Sequence, residues 1–211
     1  MQIYPISVSD SIETNAYFYI DESTNHGFLI DPAAEPEKLL QIIKDNNWII
    51  EKMLITHGHF DHIGAVQNLH NELNIPYYIH ENGKEYLTNP TFNLSAYFGN
   101  SITLNDAQYL KENDTITLDG NPQTKLKVIH TPGHTQDSVL FYDKQNHLAF
   151  VGDTIFKSSI GRTDFPGGNH QQLKESIQNK VFALPDKTTL YSGHSELTTI
   201  EAEKKNFHFF F

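Results

Sequence analysis

The sequence predicts a four-layer αββα sandwich, an α/β (α+β) fold with two β-sheets packed between outer helices. Three observations carry this. Both halves of the chain read as short strands with attached amphipathic helices. No tandem repeat, linker or low-complexity tract divides them, so residues 1–211 are expected to form one domain. At 38% apolar and 12% aromatic residues, the chain can bury a substantial core.

The elements follow in order. NAYFYI (Asn15 to Ile20) and HGFLID (His26 to Asp31) read as strands around the turn-like DESTN, a hairpin. In PEKLLQIIKDNN, Leu39, Leu40 and Ile43 share a helical face, and Pro36 suits the first turn. KMLIT is a buried strand, GAVQNLHNELN an amphipathic helix through Val66, Leu69 and Leu73, and YYIH another strand. Leu87 to Gly120 has no regular pattern. KLKVIH then reads as a strand, TPGHT as a turn, and SVLFYD and HLAFVG as strands. HQQLKESIQNKVFALP is a helix, with Leu173, Ile177 and Val181 at i+4 steps and Pro185 stopping it. TTLYSG is a last strand, and TTIEAEKKN opens with a capping box of Thr198 and Glu201. The apolar tail, Phe207 to Phe211, is expected to pack on the body or on a partner chain.

Fifteen basic against 26 acidic residues give a formal charge of -11, which argues against nucleic acid as a partner. It would also repel an anionic substrate unless bound cations reverse the local field. The absence of cysteine excludes disulfides, Cys-ligated zinc, iron–sulfur clusters and a thiolate nucleophile. No signal-peptide pattern opens the chain and no run approaches a membrane span of ~18 residues, so a soluble cytoplasmic protein, monomer or homodimer, is expected.

One stretch stands apart. ITHGHFDHIG crowds His57, His59, Asp61 and His62 onto one turn directly behind an apolar strand. An extended or turning backbone sends His57 and His59 one way, while Asp61 and His62 come round the start of the next helix. Imidazole and carboxylate suit zinc or Fe²⁺, and one such loop can serve two neighbouring cations without closing either coordination shell. Further ligands must therefore arrive from elsewhere. His134, Asp153 and His194 each lie just past a strand beside a glycine that permits a sharp turn. The remaining His26, His70, His80, His147, His170 and His208 read as surface or half-buried residues, and His130 as a structural strand end.

THGHFDH, the later TPGHT, GD and GH segments, and their order resemble the metallo-β-lactamase superfamily over nearly the whole chain. SIGRTDFPGG (Ser159 to Gly168) further resembles its compact glyoxalase II-like branch. The resemblance implies one cation held by His57, His59 and His134, a second by Asp61, His62 and His194, and Asp153 bridging both. Zinc is the favoured ion, with iron or manganese as alternatives. It implies, too, a chain without the C-terminal helical domain that grips glutathione in larger relatives. Ser195-Glu196 departs from the Gly-Pro that follows the last ligand histidine in relatives.

Two such cations can share a water and lower its pKa toward ~7, supplying a nucleophile without serine or cysteine. Asp61 is expected to orient this metal-bridging hydroxide, and a thioester, whose thiolate leaves unassisted, is the favoured substrate. The glyoxalase II likeness implies an S-(2-hydroxyacyl)thiol such as S-lactoylglutathione. Arg162, Tyr97 and Phe98 are candidate substrate contacts, although an ion pair of Arg162 with Asp164 and core packing of the two rings compete with that role. Rival readings are an iron persulfide dioxygenase using His57, His134 and Asp153, a lactonase or β-lactamase, and a metal-binding module without turnover. An RNA-cleaving relative is disfavoured by the acidic charge.

Overall fold

Side-chain alternation builds the layers. Along β2 (Glu13–Asp21), Ala16, Phe18 and Ile20 enter one apolar cluster while Tyr17 and Tyr19 enter another. Strand side chains point alternately to opposite faces, so a strand apolar at every position must be covered on both sides. The same holds for β9 (Val139–Asp143) and β10 (Leu148–Gly152). There Val139, Phe141, Leu148 and Phe150 face the first sheet, and Leu140, Tyr142, Ala149 and Val151 face helices.

The structure is a computed structural model that describes residues 1–207. Its first sheet runs β1 (Gln2–Ser9), β2, β3 (His26–Ile30), β4 (Ile49–Leu54), β5 (Tyr77–His80) and β6 (Gln108–Leu110), antiparallel up to β3 and parallel from there. Its second contains β7 (Thr115–Leu118), β8 (Asn121–His130), β9, β10, β13 (Thr189–Ser192) and β14 (Thr198–Thr199). In spatial order it runs β14-β13-β10-β9-β8-β7, with β10 and β13 parallel. A small hairpin of β11 (Ile155–Phe156) and β12 (Ser159–Ile160) stands apart.

Helices α1 (Pro36–Asp45) and α3 (Val66–Leu73) cover the first sheet through Leu39, Ile43, Val66 and Leu69, all buried. α5 (His170–Ser176), continued by a wider turn over Ile177–Val181, and α6 (Ile200–Asn206) cover the second. Each fully buried aliphatic or aromatic side chain contributes roughly 1.5–3 kcal/mol, so the three apolar layers hold the sandwich. This is the predicted αββα architecture. Among the described residues, no helix is long and apolar enough to cross a membrane.

Two local readings change. The α6 cap is Thr199, whose hydroxyl accepts from the Ala202 amide, whereas Thr198 donates to Glu203 and Glu201 pairs with Lys205. Thr198 is held in β14 by pairing with Leu190, so the helix begins one residue later than the Thr198–Glu201 spacing suggests. The patternless stretch holds the short helix α4 (Lys84–Thr88), begun just before it, and the edge strands β6 and β7. Within the tail, Phe207 packs on Phe182 with ring centroids 4.9 Å apart, and residues 208–211, His208 included, lie outside the described residues.

Candidate metal centre

The two sheets meet edgewise where β4, β8, β10 and β13 end. There the Val139 amide donates to the Thr56 carbonyl across the sandwich, and the Asn15 amide to the Gly193 carbonyl. Behind β4 the chain turns through His57 and His59 into the single-turn helix α2 (Phe60–Ile63), which carries Asp61 and His62. His134 follows β8, Asp153 follows β10 and His194 follows β13. Gly152 turns with φ 49°, a conformation glycine adopts freely. Gly193 serves differently: a Cβ there would come within 2.4 Å of Asp153 Oδ1, so it makes room for the donors.

All seven predicted donors converge. Ligand atoms of His57, His59 and His134 form one group, those of His57, His62 and Asp153 a second, and those of Asp61, His62 and His194 a third. Within each group the atoms lie inside 4.8 Å of one another. In the first, His57 Nε2 lies 3.1 Å from His59 Nδ1 and 3.2 Å from His134 Nε2, which is 3.0 Å from His59 Nδ1. Nitrogens ~2.0–2.1 Å from a tetrahedral cation would be ~3.3 Å apart, close to these separations. Asp153 stands between the groups. Its Oδ1 is 3.3 Å from His62 Nε2, and its Oδ2 is 3.2 Å from His194 Nε2 and 3.6 Å from His134 Nε2. Asp61 Oδ2 completes the far side, 3.2 Å from His194 Nε2.

The outer partners decide what those nitrogens are. His134 Nδ1 donates to the Arg162 carbonyl at 2.7 Å and His194 Nδ1 to the Glu13 carbonyl at 2.8 Å. His62 Nδ1 lies 2.9 Å from Asp31 Oδ2. Thr56 gives its hydroxyl proton to Asp31, leaving its oxygen to accept from His57 Nδ1 at 3.2 Å. With their protons at Nδ1, neutral His57 and His134 turn two Nε2 lone pairs toward each other at 3.2 Å, a contact no hydrogen bond explains. A cation between them resolves it. The structure passes that test as a metal site, and partners that fix the tautomer are typical of such sites.

Charge separates the groups. Burial, reinforced by neighbouring imidazoles, lowers His57 far below its ordinary value, His59 to about 3, and His134 in the same direction. His62 is buried too and His194 partly so, but carboxylates outweigh burial. Asp153 and Asp31 raise His62 strongly, and Asp153 and Asp61 raise His194 to about 10. Burial opposes ionisation of Asp61 and Asp153 as well. Contacts with His194 and His62 nonetheless keep Asp61 below the usual carboxylate range and Asp153 well below it.

A cleft of about 280 Å³ opens above the donors, lined in part by Phe98 and Arg162. Tyr97 does not line it: 68% exposed, that ring joins neither the cleft nor the core. Arg162 pairs with Asp164 at 2.7 Å. His130 lies outside the centre, stacked on the buried His80 at 3.9 Å. At the departing Ser195-Glu196, the Ser195 hydroxyl contacts Ser192 and accepts from the Lys157 amide, tying the His194 loop to the β11–β12 turn. Sequence reading passed over Asp31, which orients His62 and Thr56, and Asp137, which accepts from the Gly58 amide at 2.9 Å. A carboxylate just past a buried strand was the available signal for Asp31.

Comparison with known proteins agrees with this geometry. The family model described as the metallo-beta-lactamase superfamily matches residues 12–194. The chain is 38% identical over 194 residues to "Probable metallo-hydrolase YqgX" of Bacillus subtilis (strain 168), covering 92% of this chain and 90% of that protein. It is 31% identical over 209 residues to "Hydroxyacylglutathione hydrolase GloC" of Haemophilus influenzae, covering 98% and 95%. Among solved structures, BLEG-1 B3 metallo-beta-lactamase superimposes with TM-score 0.89 at 36% identity, covering 97% of each chain. TTHA1623, in a di-iron-bound form, superimposes with TM-score 0.85 at 31% identity, covering 96% of this chain and 98% of that one. By sequence and by fold, the chain belongs to the metallo-beta-lactamase superfamily.

Proposed function

We propose that the chain is a metal-dependent hydrolase that cleaves thioesters of 2-hydroxyacyl thiols, with S-lactoylglutathione as the reference substrate. One observation carries the reading: Asp153 Oδ2 stands between the two trios, 3.6 Å from His134 Nε2 and 3.2 Å from His194 Nε2, at the floor of an open cleft. His57, His59 and His134 would hold one divalent cation, and Asp61, His62 and His194 a second, with Asp153 common to both. Zinc is the first choice of ion, and the di-iron form of TTHA1623 makes iron the natural competitor. A pair of such ions supplies activated water at neutral pH and polarises a carbonyl oxygen.

The chain's own residues do the rest. The Arg162 and Glu13 carbonyls and the Asp31 carboxylate hold the protons of His134, His194 and His62 at Nδ1 and so aim each Nε2 inward. Asp61, held below the usual carboxylate range and so ionised at neutral pH, would accept a hydrogen bond from the attacking water and orient it. Phe60, Phe98 and Phe165 limit bulk water over the reacting carbonyl. The thiolate, a good leaving group, departs without a donated proton. The likeness to the Haemophilus influenzae protein supports the thioester class.

The test is to purify the protein, count zinc and iron per chain, and measure thiol release from S-lactoylglutathione beside oxygen uptake on glutathione persulfide. Two ions per chain with thiol release is the expected result. One iron per chain with oxygen uptake and no thiol release would replace the hydrolase by a dioxygenase.

A further inference from the structure

The cleft differs in character from its floor. Ile12, Phe60, Leu94, Phe98, Phe156 and Phe165 line it. Phe98 stacks on Phe60 with ring centroids 4.3 Å apart, yet remains 46% exposed, and Ile12 is 37% exposed. Apolar surface left in water at a cavity mouth is stabilised by whatever covers it. A lactoyl group, with a single methyl, covers little of it. The thiol moiety of the substrate must therefore meet these rings.

The charges at the mouth point the same way. Among the described residues lining the cleft, Arg162 is the one lysine or arginine, and Asp164 already pairs with it. Its Nε and Nη2 donate to the two Asp164 carboxylate oxygens at 3.0 and 2.7 Å, and its guanidinium carbon lies 4.3 Å over the Phe165 ring. Nearby, Lys157 is paired with Glu196. Asp10 and Glu13 line adjoining hollows that share Ile12 and His194 with the cleft. At the mouth, beyond the cation-holding floor, a thiol carrying free carboxylates would have to share Arg162 with Asp164 or lie against these acids.

We infer that the cleft selects thioesters of uncharged, apolar thiols over those of glutathione. This rests on the thioesterase reading, and the experiment separates the two. With the metal-loaded full chain, kcat/KM is measured for the S-benzyl and S-glutathionyl esters of lactate. The benzyl ester is expected to be favoured by at least ~10-fold, and Phe98→Ala to shrink that ratio several-fold through KM of the benzyl ester. Equal or better turnover of the glutathione ester overturns the inference while leaving a thioesterase. Calorimetric titration with the matched thioethers, bearing hydroxypropyl in place of lactoyl, reads selection without turnover. Tighter binding of the benzyl thioether supports the inference and tighter binding of the glutathionyl one overturns it. If neither ester is cleaved, the thioesterase reading fails, and the binding ratio alone decides what the cleft selects.

Discussion

His57, His59 and His134 on one side, and Asp61, His62 and His194 on the other, are neighbours built on opposite principles. The first trio contains no carboxylate, is buried throughout, and has every ring driven toward neutrality by burial and by the other rings. The second mixes a carboxylate with imidazoles whose proton affinity rises against burial, to about 10 at His194. His194 and Asp61 also reach partly exposed positions, whereas His57 is fully buried. One trio thus offers neutral lone pairs, to which a cation would bring all the positive charge. In the other a cation must compete with the protons that Asp31, Asp61 and Asp153 favour on His62 and His194. Burying charge is costly unless paired, and Asp153, between His62, His134 and His194, supplies a buried partner where the two trios adjoin.

The largest break in this comparison is Asp153→Ala. On the proposed reading it disables both trios, and thioester hydrolysis should fall by more than the ~10–100-fold that an outer partner carries. Steady-state turnover and metal analysis check it, and retention of two ions with near-normal turnover would remove the shared carboxylate from the scheme. Next comes the pair His134→Ala and His194→Ala. His134→Ala is expected to cost a full ion per chain, and His194→Ala to weaken one ion while the other stays, as read by metal content after dialysis. Equal losses would dissolve the distinction between the trios.

A smaller effect is expected at Asp31→Ala, which releases His62 Nδ1 and the Thr56 amide and hydroxyl. The second ion should bind ~10–100-fold more weakly, with Asp31→Asn intermediate, by competition with a chelator of known affinity. The smallest lies outside the centre. Burial, aided by the neighbouring His130, lowers His80 from 6.5 to about 4. Below 6.5 the unfolded chain binds a proton that the folded chain refuses, so stability declines as pH falls from 6.5 toward 4 and then levels. Denaturant unfolding should show a decline on the order of 3 kcal/mol from this group, absent in His80→Gln. An unchanged slope in the variant would mean that His80 titrates normally.

The legible and illegible parts of this molecule divide by distance along the chain. The strands from Asn15 to Ile20 and from Val139 to Asp143 were readable because uninterrupted apolar runs must be buried on both faces. β6 and β7 were not, since three- and four-residue edge strands carry too little pattern to stand out. The cluster from His57 to His62 announced itself within six residues of ordinary chain. The Glu13 carbonyl that orients His194, 181 positions away, left no trace, because a backbone group has no identity in sequence. Tyr97 and Phe98 looked equivalent as neighbours. The turn after Leu94 sends Phe98 onto Phe60 and leaves Tyr97 in solvent.

Sequence alone determined the stock of chemistry: histidines and aspartates at strand ends, no thiol, an acidic surface, and layers apolar enough to fold between helices. Residue type and periodicity are local properties, and they suffice for such statements. Tertiary structure decided which nitrogen of each ring faces inward, how near Asp153 stands to His62, His134 and His194, and that Phe60, Phe98, Phe156 and Phe165 line the cleft. Those outcomes depend on groups brought within a few ångströms by the closing of two sheets, where hydrogen bonds and buried charge act over distances that no spacing along the chain records.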